Sequence, residues 1–142
     1  MNIQKILVVC IGNICRSPMA ECLLKQQYPL HSIHSAGLQA LVGAPADDKA
    51  QLCMQHLGLN LDMHIAKKIT TQMLKDADLV LVMSQNQQQH IEQMWPFSKG
   101  KVFRLGHWKQ RDVADPYQQD QAAFDQTCQL IQDCILDWKL YI

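Results

Sequence analysis

The chain has 142 residues, 48% of them apolar and 18% charged, enough for one domain with its own core and too apolar for wholesale disorder. Its 13 acidic and 13 basic side chains cancel, which excludes the strong overall field that draws nucleic acid or an anionic membrane as main partner. A single domain over residues 1–142 is expected, and any anion it binds must be held locally.

Lys5 to Cys10 (KILVVC) is apolar and rich in β-branched residues, the pattern of a buried parallel strand. The apolar run from Ile6 to Ile11 is too short to span a membrane and leads into Gly12-Asn13 without a cleavage pattern. Neither a secretory leader nor membrane insertion is expected there. A helix starts near Ser17-Pro18, with serine as its cap and proline at its first position, and ends at Tyr28-Pro29. Ser32 to Ser35, closed by Gly37, reads as a second strand. Ala46, Ala50, Cys53, Met54 and Leu57 then share one face of a helix that Gly58 stops.

Asp78 to Met83 (DLVLVM) is the clearest further strand, followed by Ser84 and Gln87 as a capping box for the next helix. Lys101 to Leu105 is a shorter strand. A long terminal helix places Phe124, Thr127, Cys128, Ile131, Ile135 and Trp138 on one face. Strands alternating with helices predict an α/β fold, a three-layer open doubly wound parallel sheet with helices on both faces. Ligands in such sheets bind beyond the carboxyl ends of the strands, where a loop feeds a helix N-terminus. The first strand ends at Cys10.

Cys22, Cys53, Cys128 and Cys134 stand singly within apolar or helical segments and read as reduced, mostly buried side chains of a cytoplasmic protein. No Cys-x-x-Cys, His-x-x-x-His or His-Glu-x-x-His spacing occurs, so neither a metal nor a cofactor is expected.

Cys10-Ile11-Gly12-Asn13-Ile14-Cys15-Arg16-Ser17 reads Cys-x5-Arg-Ser between a strand and a helix. Gly12 and Asn13 tolerate positive φ, so the loop can curl with its amides inward as an anion nest. The helix that follows adds its free N–H groups and positive dipole end. Arg16 can return its planar fork to two phosphate oxygens. A thiol at the floor of such a cup is favoured as the nucleophilic thiolate, and the same cup stabilises a transferring phosphoryl group. Phosphate ester cleavage is the chemistry this arrangement suits.

The segment from Val9 to Glu21 (VCIGNICRSPMAE) closely resembles the active-site segment of the low-molecular-weight protein tyrosine phosphatases. The resemblance runs along essentially the whole chain through Ser35-Ala36-Gly37, His64-Ile65-Ala66-Lys67, Asp78 to Met83 and Asp115-Pro116-Tyr117. Gly37 to Gly43 and Gly106-His107-Trp108 resemble the bacterial branch linked to capsule or exopolysaccharide production. The resemblance implies four parallel strands, hydrolysis of phosphotyrosine through a phosphocysteine, and release of inorganic phosphate. The implied protein substrate is a bacterial tyrosine autokinase with clustered tyrosines in a flexible tail.

A tyrosine oxygen leaves poorly unless protonated, so a carboxylic acid is needed near the loop. An Asp-Pro pair by itself is an ordinary turn, and Asp112 competes with Asp115. The resemblance assigns the acid to Asp115. It also implies that Asn13, Ser35 and His64 brace the loop, that Ser17 bonds the thiolate, and that Ile11, Leu41 and Tyr117 wall the pocket. Read alone, His64 would be an ordinary surface or packed histidine. Leu41 and Gln118 stand where aromatics are frequent in eukaryotic members, so a less aromatic rim is expected. Cys15, five residues from Cys10, can approach disulfide distance if the loop flexes, and the paired cysteines of the family imply redox protection. An arsenate reductase of the same fold would need relay cysteines, and none lies between Cys53 and Cys128. A non-catalytic phosphotyrosine-binding module would lack the nucleophile or the acid, and both are present.

Overall fold

A computed structural model of the protein describes residues 2–142. Four strands, β1 (Lys5–Cys10), β2 (Ser32–Gly37), β3 (Leu79–Val82) and β4 (Val102–Arg104), form one all-parallel sheet in the order β2-β1-β3-β4. The helices α1 (Arg16–Gln27), α2 (Asp48–His56), α3 (Thr71–Asp76), α4 (Gln85–Met94) and α5 (Gln121–Asp137) connect and cover it. The chain passes from β1 outward to β2, then returns to add β3 on the other side of β1. That reversal opens a crevice at the carboxyl end of β1, where the Cys10 loop begins.

Alternation along β1 divides the interior in two. Ile6, Val8 and Cys10 belong to the larger cluster with Met19, Leu24, Met54, Phe124 and Ile131, from α1, α2 and α5. Leu7 and Val9 face the smaller cluster with Leu74 and Ile91, from α3 and α4. Trp138, the C-cap of α5, donates its indole N–H to Leu105 O (2.9 Å), tying the terminal helix to the end of β4.

Several local expectations change. Helix α1 begins at Arg16 with Cys15 as its N-cap and no side-chain cap bond, so Ser17 is not the cap. Its hydroxyl is drawn instead to buried partners on the loop. Asn13 takes positive φ (59°) while Gly12 does not, so one left-handed residue suffices to curl the loop. Ser84 Oγ accepts from Gln87 N (3.2 Å), but Gln87 Oε1 accepts from Met83 N (2.8 Å), one residue before the cap, which shifts the capping box. Helix α3, capped by Thr70, was absent from the expected elements. Six residues are too few to show helical periodicity. The six cysteines are all free, and Cys22 is only half-buried.

Candidate active site

The loop from Cys10 to Ser17 is fixed by its carbonyls. Cys10 O accepts from Leu38 N (3.0 Å), Ile11 O from Gln39 N (2.9 Å), Gly12 O from Leu41 N (3.1 Å) and Ile14 O from Asp47 N (2.8 Å). The fifth, Asn13 O, meets His64 Nε2 at 2.6 Å. A carbonyl can only accept, so this bond sets the His64 tautomer with its proton on Nε2. No backbone N–H from Ile11 to Ser17 donates to another protein group among the described residues. Carbonyls bonded outward leave a curl of free amides on the inside, an anion nest that opens onto the first turn of α1. Gly37 lets the supporting segment approach this closely, since a Cβ there would meet Ile11 O at 2.5 Å.

Asn13 is the hub. Its side chain is fully buried, and Oδ1 accepts from Lys67 N (3.0 Å), which fixes the amide orientation. Nδ2 then donates to Ser17 Oγ (2.8 Å) and Ser35 Oγ (3.0 Å). Ser35 donates its hydroxyl hydrogen bond to Glu21 Oε1, and Glu21 in turn pairs with Lys25. Ser17 has accepted from Asn13, so its hydroxyl hydrogen is left for Cys10 Sγ, 2.9 Å away. Thus the donor sequence ends on the sulfur.

Arg16 is buried, with Nη1 donating to Val113 O (2.9 Å) and Nη2 lying 3.4 Å from Asp115 Oδ2. Its Nε is buried without a partner among the described residues. A guanidinium N–H left open beside the nest is a donor of the kind that meets an anion bidentately. Asp115 stands across the opening, its side chain 43% exposed, and Oδ1 accepts from Tyr117 N (3.1 Å). Burial first, and then the negative charges of Asp47, Asp115 and Cys10, push the Cys15 thiol up against the opposing pull of Arg16.

Cys10, Ile11, Gly12, Ile14, Cys15, Arg16, Leu41, Asp115 and Tyr117 line one cavity of about 160 Å³ together with Gln39. Of the residues singled out for the loop, the acid and the walls, all but Asn13 and Ser17 converge there. Asn13, Ser17, Ser35 and His64 brace it from behind. Gln39 and Glu21 were not singled out. Gln39 sits within the Gly37–Gly43 stretch without a chemical signature. Glu21 lies one helical turn beyond Ser17, a spacing that hinted at a shared face. Asp112 is engaged elsewhere: Oδ1 accepts from Gln85 N (3.1 Å) and Arg104 Nη1 (3.0 Å), and it does not line the cavity.

An anion nest carrying a thiol at the carboxyl end of the first strand of a doubly wound parallel sheet defines a Cys-x5-Arg phosphate-loop protein. The family profile described as low molecular weight phosphotyrosine protein phosphatase matches residues 5–139, and the chain belongs to that family. It is 63% identical over 142 residues to the low molecular weight protein-tyrosine-phosphatase Ptp of Acinetobacter johnsonii, covering all of both chains. The crystal structure of the Erwinia amylovora tyrosine phosphatase AmsI superposes with a TM-score of 0.93 at 40% identity, over 96% of this chain and 91% of that one. Vibrio vulnificus Wzb, solved in complex with benzylphosphonate, gives 0.95 at 34% identity over 99% and 100% of the two chains.

Proposed function

We propose that the protein hydrolyses phosphotyrosine by two displacements at phosphorus, with Cys10 as nucleophile. The observation that carries this reading is the polarity of the loop: carbonyls engaged outside, amides free inside, and a sulfur at the floor. The nest and Arg16 Nε take the three equatorial oxygens, so charge is stabilised where it develops in phosphoryl transfer. Cys10 Sγ attacks phosphorus, the P–O bond to the tyrosine ring breaks, and Asp115 gives its proton to the departing oxygen. Asp115 then takes a proton from water, which attacks the phosphocysteine and releases inorganic phosphate. In that second step the Ser17 hydroxyl bonds the thiolate as it leaves.

The apolar walls Ile11, Leu41 and Tyr117 suit an aromatic ester. By resemblance to the capsule and exopolysaccharide branch, the protein acts in the cytoplasm and its substrate is the tyrosine-rich tail of a bacterial tyrosine autokinase. No helix among the described residues is long and apolar enough to cross a membrane. Assaying p-nitrophenyl phosphate hydrolysis beside thiol-coupled arsenate reduction tests the reading. Hydrolysis without arsenate turnover is expected. Arsenate turnover, or phosphate binding without hydrolysis, would overturn it.

Cys15 supplies redox protection in this scheme. Peroxide oxidises the Cys10 thiolate to a sulfenic acid and is itself reduced to water; Cys15 sulfur then displaces hydroxide to form the disulfide. Cys15→Ser is expected to hydrolyse nearly as wild type but to recover far less activity in dithiothreitol after peroxide. Equal recovery would defeat the assignment.

A further inference from the structure

A cavity on the α3 side of the sheet is separate from the phosphate cup and measures about 390 Å³. Its buried apolar floor is Leu7 and Ala77, and Met73 of α3 adds a flexible apolar wall. Lys5, His34 and Lys67 stand at its rim with Ser32 and Asp76. The cations outnumber the acids here. Neither Lys5 nor Lys67 forms an ion pair among the described residues. Asp76, the one carboxylate, has Oδ1 engaged by Gln72 Nε2 (2.8 Å). An apolar floor beneath unpaired ammonium groups matches a small organic anion, with its apolar body on Leu7 and Met73 and its charged end at the lysines.

Lys67 also connects this cavity to the nucleophile. Lys67 lines the cavity, and its backbone N–H donates to Asn13 Oδ1 (3.0 Å) while its carbonyl accepts from Gly37 N (2.9 Å). Asn13 in turn holds Ser17 against Cys10 Sγ. A ligand that reorients Lys67 acts on the residue that aims the Ser17 hydroxyl. We infer that this cavity is a second, regulatory site for a small aromatic or alkyl anion. Its occupancy is transmitted to the phosphate cup through Lys67 and Asn13.

Thermodynamic linkage gives a test that does not depend on turnover. If the sites are coupled, phosphate in the cup changes the affinity of the second site by a fixed factor that stops growing once phosphate saturates. Competition for one site would instead weaken binding without limit. The probe is anilinonaphthalene sulfonate, titrated by fluorescence into the intact protein at rising phosphate. A neutral naphthalene serves as the uncharged control. We expect saturable binding of the sulfonate, a phosphate effect that levels off at two- to tenfold, and a Met73 methyl resonance that shifts on binding. Lys5→Glu, an exposed change remote from the cup, should weaken the sulfonate at least tenfold while leaving probe-free hydrolysis of p-nitrophenyl phosphate unchanged. Unlimited displacement by phosphate, unaltered affinity in Lys5→Glu, equal binding of the neutral control, or the absence of any phosphate effect would each overturn the inference.

Discussion

On one wall of the phosphate cup, Cys10, Asn13, Arg16 and Ser17 are buried, and Asn13 uses every polar group of its side chain. On the other, Asp115 is 43% exposed at its side chain and Tyr117 is 44% exposed, both on a stretch without helix or strand. The contrast fits the work proposed for each wall. Binding an anion and orienting a sulfur need donors that do not reorganise during reaction, which burial and a closed hydrogen-bond chain provide. A group that gives a proton and then takes one from water must meet both ester and solvent. Exposure suits that duty.

If the buried wall holds the nucleophile, its removal has the largest effect. Cys10→Ser is expected to abolish turnover in steady-state assays while phosphate still binds, because the nest is made of backbone amides. Lost phosphate binding would show instead that the sulfur organises the cup. Removing the acid comes next. Asp115→Asn should slow p-nitrophenyl phosphate hydrolysis by about 10²–10⁴-fold, the usual worth of a positioned proton donor. Asp112→Asn should leave kcat nearly unchanged, since that carboxylate is occupied by Gln85 and Arg104. The reverse pattern would exchange the two assignments.

Ser17→Ala sharpens the comparison within the buried wall. It strips Cys10 of its hydroxyl partner and leaves one Asn13 amide hydrogen unpaired, a loss of about 1–3 kcal/mol. Expressed wholly in the transition state, that would be roughly 5–150-fold in kcat, concentrated in hydrolysis of the phosphoenzyme. Unchanged burst and steady-state rates in stopped-flow measurements would remove Ser17 from the chemistry.

The smallest effect on turnover is expected at the opposite end of the sheet. Asp78 Oδ2 accepts the N–H groups of Gln4 and Lys5, both at 2.9 Å, and these bonds hold its carboxyl below the ordinary range. A carboxyl held down in the folded state stabilises the fold above its unfolded pKa. That contribution disappears as pH falls through the lower folded value. Urea titrations from neutral pH into the acid range should show this loss in wild type. A flatter profile in Asp78→Asn, with turnover intact, is expected; identical profiles would contradict it.

Much of the buried wall was legible in the sequence because it is local. Strand, loop, arginine and helix fall within Lys5–Gln27, and the chemistry of each residue type points to phosphate. The braces were legible only through family resemblance. Ser35 and His64 lie 22 and 51 residues from Asn13, and nothing in their immediate sequence announces the contact. The choice of Asp115 over Asp112 likewise depended on resemblance, since two aspartates on one loop differ only in where the backbone aims them. Ser17 was misread as a cap because Ser-Pro is a strong local signal. Cys10 and Asn13, both upstream, supply the partners that override it. Short α3 lacked the length to show a period.

Trapping the covalent intermediate tests the account most directly. Enzyme mixed with p-nitrophenyl phosphate, quenched within the first turnover and cut with trypsin, yields a peptide from Ile6 to Arg16 that holds both Cys10 and Cys15. Fragmentation in the mass spectrometer is expected to place one phosphoryl group on Cys10, absent from Cys10→Ser. An unmodified peptide during rapid turnover, or phosphate carried on any other residue, would contradict the mechanism.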